Sequence, residues 1–335
     1  MPYQLFIGID TSKDKYDFHY LDQQGNPQLY GEVANSSTAL KRWLEDVIAA
    51  HDLSPSEVLI CIERSGIYSL NLACLAHELG FHVWLEDALH LSKSFGRTRG
   101  KTDAIDAARI AKYAQRNWQD VSLFQPLRPT ISQIKSLVGQ RKRLIKAKNI
   151  LLVPINEEQD FLPGLDEELH AITTTIVKQT EQAIKDLDQQ IDTLIRNDEQ
   201  LRHQEQLATS VPGFKKVNFR NLVITTEGFT RLNNARALAC QIGIAPFPRQ
   251  SGKCLNKKPT TGKMGDKSFK ASLTCAVRSI IKSNNHFGRY YRRKIAQGKD
   301  HLVVVNALRN KIIHTVMACI NNNTKYEENY SHKLA

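Results

Sequence analysis

The period of the hydrophobic residues changes repeatedly within the first 120 residues, and this constrains the fold more than any other feature. Gln4–Asp10 (QLFIGID) is a mostly apolar run of strand length. Tyr16–Asp22 (YDFHYLD) alternates apolar and polar residues, and Leu29–Asn35 follows after the turn residues Gln24-Gly25-Asn26-Pro27. Connections this short predict an antiparallel three-stranded meander. Ser36 and Ser37 then offer helix caps before Leu40, Trp43, Leu44, Val47 and Ile48, which recur at helical spacing. Val58–Arg64 (VLICIER) reads as a buried strand, residues 68–79 as a helix closed by Gly80, and Phe81–Asp87 as a fifth strand. A last helix opens at Thr102-Asp103 and runs to about Gln115.

The predicted order is three strands, then helix, strand, helix, strand, helix. It gives an α/β domain with a mixed five-stranded sheet covered by helices, the order of the ribonuclease H-like fold. In that order the first and fourth strands are neighbours. Farther on, Leu137, Leu144 and Leu151 lie seven apart, and Pro154, Pro163 and Gly164 are expected to break the helix. A second pattern runs through Leu169, Ile172, Ile176, Ile184, Leu187, Ile191, Leu194 and Leu201, stepping three, four, three in its middle as a heptad does. These segments fit an antiparallel hairpin, pairing with another protomer's helices, or ordinary amphipathic core helices. After Ser210 the chain reads as mainly α-helical, except that Ala245–Asp266 is polar, basic and rich in Gly and Pro and is expected as a long loop. The expected domains are residues 1–125, a helical coiled-coil segment 126–206, and residues 207–335.

Charge is unevenly placed. The net charge is +12, yet Arg249 to Lys311 holds sixteen Lys and Arg against only Asp266 and Asp300, so the rest of the chain is slightly acidic. A second basic cluster is Lys135, Arg141, Lys142, Arg143, Lys146 and Lys148, followed by an acidic stretch from Glu157 to Glu205. A basic third of this density suits a polyanion, nucleic acid first. At 41% hydrophobic residues, disorder is excluded. The six cysteines form no CxxC pair, which points to free thiols in a reducing compartment. The N-terminus has no basic segment and meets Asp10 too early for a signal peptide, and no apolar run reads as a membrane span. The expectation is a cytoplasmic, nucleoid-associated protein with no membrane partner.

Four acids carry the chemistry. Asp10 ends the first strand, Glu63 nears the end of the fourth, and Asp103 and Asp106 share one helix face at i and i+3. Taken singly, each reads as a cap, a turn residue or an ion-pair partner of Arg64 or Arg109. On these elements together they converge on one spot, where like charges raise one another's pKa unless a cation compensates. Mg²⁺ is the natural choice, and two such ions serve phosphodiester displacement. Asp14, Asp17 and Asp87 are read as surface or strand-end residues, and Lys13 as a solvated lysine that could touch phosphate.

These residues carry a resemblance. GIDTSKDKYDF, CIERSGIY and RTRGKTDAIDAARIAKYA, then SVPGF and IGIAPFPRQSGK, resemble the insertion sequence 110 family of transposases over roughly residues 4–320. The resemblance implies a RuvC-like DEDD domain and a smaller transposase domain carrying a nucleophilic serine. It assigns the tetrad to Asp10, Glu63, Asp103 and Asp106, and the serine to Ser251, which alone reads only as part of a turn dipeptide. It further implies a covalent phosphoserine intermediate, donor and target DNA as substrates, and a bridge-type noncoding guide RNA encoded beside the gene. Strand exchange between two duplexes implies a dimer or tetramer, with the helices from Ile131 to Leu201 as the assembly element.

One departure stands out: VPGFKKVN carries Lys215 where the family-like PGhG turn has its second glycine, so Lys215 or Lys216 would offer point charges to phosphate. Arg97, Arg99 and Lys101, the cluster Arg141, Lys142 and Arg143, and Arg249, Lys253, Lys257, Lys258 and Lys263 around the serine are read as phosphate contacts, as are Arg292 and Arg293. Tyr290 and Tyr291 read as half-buried packing or as stacking platforms. The competing readings are a RuvC-like nuclease with water as nucleophile, an actin-like kinase suggested by GIDTSK, and a non-catalytic nucleic-acid-binding protein. A kinase of that type needs a second sheet that residues 130–335 do not predict, and a mere binder leaves the converging acids unexplained.

Overall fold

The computed structural model describes residues 2–96, 102–161, 170–251, 255–262 and 265–328, with backbone alone for 159–160, 248–251 and 255–259. The chain forms two compact units, Met1–Pro126 and Leu127–Ala335.

The first unit holds strands β1 (Leu5–Thr11), β2 (Lys15–Asp22), β3 (Pro27–Ala34), β4 (Val58–Glu63) and β5 (His82–Glu86) in the sheet order β3-β2-β1-β4-β5. β2 pairs antiparallel with β1 and β3, while β4 runs parallel to β1 and β5, so the sheet is mixed as expected. Helices α1 (Ser37–His51), α2 (Ile67–Glu78), α3 (Ala88–Ser94) and α4 (Asp103–Asn117) complete it. Ser36 caps α1 by accepting from the Ala39 amide. Side-chain alternation divides the sheet between two cores. Ile7, Ile9, Tyr16, Ile60 and Ile62 face Leu40, Leu44, Leu72 and Ala76, while Phe6, Leu59, Cys61 and Trp84 face Leu91, Ile110, Ala111 and Ala114. Each large side chain fully buried there contributes about 2 kcal/mol. The seven-residue α3, capped by Asp87 through the Leu89 amide at 3.0 Å, was not expected, because one and a half turns are too short to show a period.

The second unit opens with α5 (Pro129–Phe161) and α6 (Ala171–Asn197), followed by α7 (Glu199–Thr209). Arg128 pairs with Asp198, Arg141 with Asp188 and Lys148 with Glu181, so one residue number rises as the other falls. The two helices are therefore antiparallel, resolving the open alternatives in favour of a hairpin within the chain. Two corrections follow. Pro154 does not break α5, which runs on to Phe161; its ring is exposed, and the buried Ile155 beside it keeps the helix packed. The second pattern is not one helix either, since Asp198 ends α6 and caps α7 through the Leu201 amide, while Ile172 and Ile176 lie exposed.

Helices α8 (Lys216–Thr225), α9 (Ala235–Ile242), α10 (Lys267–Ile280), α11 (His286–Ala296) and α12 (His301–Asn321) build the rest around Phe214, Phe219, Leu238, Leu273, Leu308 and Ile312. Contrary to the expectation of no span, α12 is long and apolar enough to cross a membrane, the one such helix among the described residues. Its residues Val305, Leu308, Ile312, Ile313, Val316 and Met317 are consumed in this core, and Val304 is buried as well. The expected loop 245–266 is also corrected. It contains a two-stranded antiparallel ribbon, β6 (Pro246–Ser251) and β7 (Leu255–Thr261), with Ser251 paired to Leu255. Three prolines and several lysines hid it, being poor strand formers. The five described cysteines are free, as expected, and Cys254 lies outside the described residues.

Candidate active site

Phe6, Gly8 and Asp10 alternate onto the sheet face covered by α4. A Cβ on Gly8 would stand 2.0 Å from the Ala111 nitrogen and 2.3 Å from the Ala107 carbonyl oxygen. Only glycine lets the backbone of α4 lie directly on β1 here. Asp103 is one turn before Ala107, so this contact carries the first turn of α4 toward the end of β1 where Asp10 stands. Thr102 caps that turn by accepting from the Ile105 amide at 3.3 Å, which fixes Asp103 and Asp106 within it. In the parallel pair of β1 and β4, Ile9 lies level with Ile62, so Asp10 and Glu63 follow as neighbours at the same sheet edge.

Burial pushes the Asp10 carboxyl up to about 6, and the charges of Asp103, Glu63 and Asp106 add to the rise, against a 3.0 Å hydrogen bond from the Thr11 amide. Glu63, Asp103 and Asp106 thus all act on Asp10 through space. Arg109 Nη1 pairs with Asp106 at 2.8 Å. Among the described residues no three carboxylate, His or Cys groups lie close enough to form a finished metal cage. The donor set is nonetheless entirely carboxylate oxygen with excess negative charge, which fits a hard divalent cation.

Of the lesser acids, Asp14 is exposed and Asp87 caps α3. Asp17 corrects the surface reading: it is 2% exposed, accepts from Tyr30 Oη at 2.8 Å and pairs with Lys15. Lys13 is exposed in the turn after β1. The sequence reading missed Glu86. It ends β5 level with Glu63 and accepts from Tyr113 Oη at 3.1 Å and from the Asp87 amide at 2.8 Å. Its place at the end of a third parallel strand was the signal that could have found it.

Residues 7–152 match the profile of a DEDD transposase of the IS110 type, and residues 205–292 match the transposase IS116/IS110/IS902 family. Together they take in more than two thirds of the chain. The chain belongs to the IS110 family of transposases. It is similar to the pilin gene-inverting proteins of Moraxella bovis, 26% identical over 97% of this chain and 98% of that one, and of Moraxella lacunata, 25% identical over the same shares. It is also similar to the insertion element IS900 uncharacterized 42 kDa protein of Mycobacterium paratuberculosis, at 24% identity. The transposase is therefore an enzyme of DNA recombination with DNA as its substrate, and its DEDD-type domain points to the use of a divalent metal.

The second unit of the transposase distributes the basic candidates unequally. Ser251 ends β6, with Arg249 on the same strand and Lys257 and Lys258 on β7. Arg97, Arg99, Lys101, Lys253 and Lys263 lie outside the described residues. Lys142 and Arg143 are exposed on α5, whereas Arg141 is tied to Asp188 at 2.7 Å. Lys216 reaches Asp192 at 2.7 Å, and the buried Arg220 joins both Asp188 and Asp192, binding α8 to the hairpin. Lys215 precedes α8 with φ −118°, ordinary extended backbone, so no glycine is required there. Gly213, at φ +79°, is required, since a Cβ would strike Ile280 of α10 at 2.6 Å. Arg292 donates to the Ser283 carbonyl oxygen and Asn284, and Arg293 lies over Tyr290. Tyr290 and Tyr291 pack partly buried against the core.

Proposed function

We propose that this transposase cuts and rejoins donor and target DNA through Ser251, with Asp10, Glu63, Asp103 and Asp106 holding magnesium in a two-ion site. The observation that carries the reading is the negative charge that Glu63, Asp103 and Asp106 place around Asp10 at the end of β1. When bound there, magnesium would supply charge neutralisation and Lewis acidity to a phosphate. Ser251 Oγ attacks phosphorus, a new O–P bond forms and the strand's own P–O bond breaks. The Oγ proton leaves and the released sugar oxygen takes up a proton. The phosphoserine keeps the energy of the broken bond, so a second hydroxyl can reverse the step and rejoin strands without a nucleotide cofactor.

A bridge-type noncoding RNA supplies the sequence specificity by base pairing. Exposed Lys142, Arg143 and Lys215 support nucleic-acid contact along backbone rather than base edges. Assembly as a dimer or tetramer runs through the hairpin, whose far end exposes Ile150, Val153, Phe161, Ile172 and Ile176. The rival is a nuclease in which water attacks and Ser251 is only a strand-end residue.

The test is a covalent-adduct assay with full-length protein, the RNA flanking its gene, labelled donor and target duplexes, and magnesium or EDTA. The expected result is a magnesium-dependent, protease-sensitive DNA–protein band that is lost in Ser251→Ala and in Asp10→Asn. DNA cutting that leaves no adduct and survives Ser251→Ala would establish the nuclease instead.

A further inference from the structure

At the root of the β6–β7 ribbon, three cations crowd together. Lys270, Thr274 and Arg278 follow one another at i, i+4 and i+8 along α10, and Arg309 of α12 lies across them, donating from Nη2 to Thr274 Oγ1 at 2.8 Å. The same elements grip the chain just before β6. Lys270 Nζ donates to the Gly243 carbonyl oxygen at 2.9 Å, and the Asn306 and Asn310 amides donate to that of Ile244 at 2.9 and 2.7 Å.

Among the described residues, none of Lys270, Arg278 and Arg309 is paired with a carboxylate. Elsewhere in this unit partly buried cations have acids, as Arg220 and Arg141 do. Among the described residues Arg309 Nε, which is buried, has no hydrogen-bond partner, and Arg278 stands exposed beside it. Burial lowers the pKa of Arg309 and the charge of Arg278 lowers it further; burial and Arg309 do the same to Lys270. Holding mutually repelling cations together costs free energy that an anion would return.

We infer that Arg309, Arg278 and Lys270 form a binding site for the phosphodiester backbone of DNA, seated at the base of the ribbon that ends in Ser251. Arg309, held by Asn306 and Thr274, supplies a fixed half-buried positive charge with one further proton on each terminal nitrogen, and Arg278 adds a solvent-facing point of entry. DNA, rather than RNA, is favoured because Lys270, with Asn306 and Asn310 beside Arg309, also anchors the ribbon carrying the serine, so a duplex held here is fixed relative to the nucleophile. That choice rests on the proposed role of Ser251; the anion site does not.

The experiment is fluorescence anisotropy of full-length protein with a labelled DNA duplex of generic sequence, and separately with the flanking RNA, across a salt series. Removing one phosphate-binding cation lowers the slope of log affinity against log salt by about 0.9. Arg278→Gln is expected to lower the DNA slope by about that amount, and Arg278→Glu, which places a carboxylate beside Arg309, to weaken DNA binding by about tenfold or more. Arg309→Gln should behave alike; because Arg309 is half-buried, its folding is checked by circular dichroism, and the exposed Arg278 variants decide if it fails. Unchanged DNA affinity and slope in folded Arg278→Glu would overturn the site, and a loss confined to RNA would reassign it. Binding requires no covalent step, so a missing adduct together with an intact slope effect would overturn the role of Ser251 and leave this site standing.

Discussion

Gly8 and Ala111 meet backbone to backbone, with room for no side-chain carbon on the strand residue. This single contact decides how far α4 sinks onto the sheet, and with it where Asp103 and Asp106 lie against Asp10. Gly8→Ala is expected to destabilise the protein by about 3 kcal/mol or more, because helix backbone rather than a side chain must move. Gly262→Ala, in open space, should fall within about 0.5 kcal/mol of the parent. Thermal unfolding of the two variants, read beside adduct yield, checks the pair.

Without metal, the first unit should lose stability as pH rises. The folded Asp10 holds its proton up to about pH 6, whereas an unfolded carboxyl releases it near pH 4. Between those values the unfolded chain has already ionised and the folded one has not, so stability present at low pH is lost as pH climbs through about 6. Magnesium should suppress the loss, and Asp10→Asn should flatten it. Melting curves from pH 4 to 7.5, with EDTA or magnesium, report the sign.

Arg220 carries two acids of α6 from within the core. Arg220→Met would leave Asp188 and Asp192 without their shared partner and is expected to cost about 3–5 kcal/mol. Adding Asp188→Asn and Asp192→Asn should recover most of that. Urea denaturation of the single and triple variants measures both effects.

Pro154 lies exposed inside an unbroken helix, where it deprives the backbone of one hydrogen bond. Pro154→Ala should stabilise the hairpin by about 1–3 kcal/mol and leave strand joining unchanged. Helical circular dichroism on heating, paired with the adduct assay, tests this.

The five-stranded sheet was legible because its meander, its buried parallel strands and its capped helices each show their own period. Asp10, Glu63, Asp103 and Asp106 could then be located from strand order alone. Asp17 was misread because a polar residue in an alternating strand normally faces water; the partners that bury it, Lys15 and Tyr30, come from strand register. Glu86 was missed for a similar reason, since its role as acceptor for Tyr113 joins residues far apart in sequence. The ribbon ending in Ser251 escaped because prolines and lysines carry no alternating pattern. Its anchor, the Gly243 and Ile244 carbonyls held by α10 and α12, depends on tertiary packing. Pro154 shows the opposite error, a local rule outweighed by packing along the helix.

The four acids all fall between residues 10 and 106, inside the first compact unit, and Ser251 falls in the second. On the proposed mechanism this division works as an interlock. A chain still emerging from the ribosome, or one cut short before the ribbon, owns the acidic half of the reaction and lacks the group that would capture a strand.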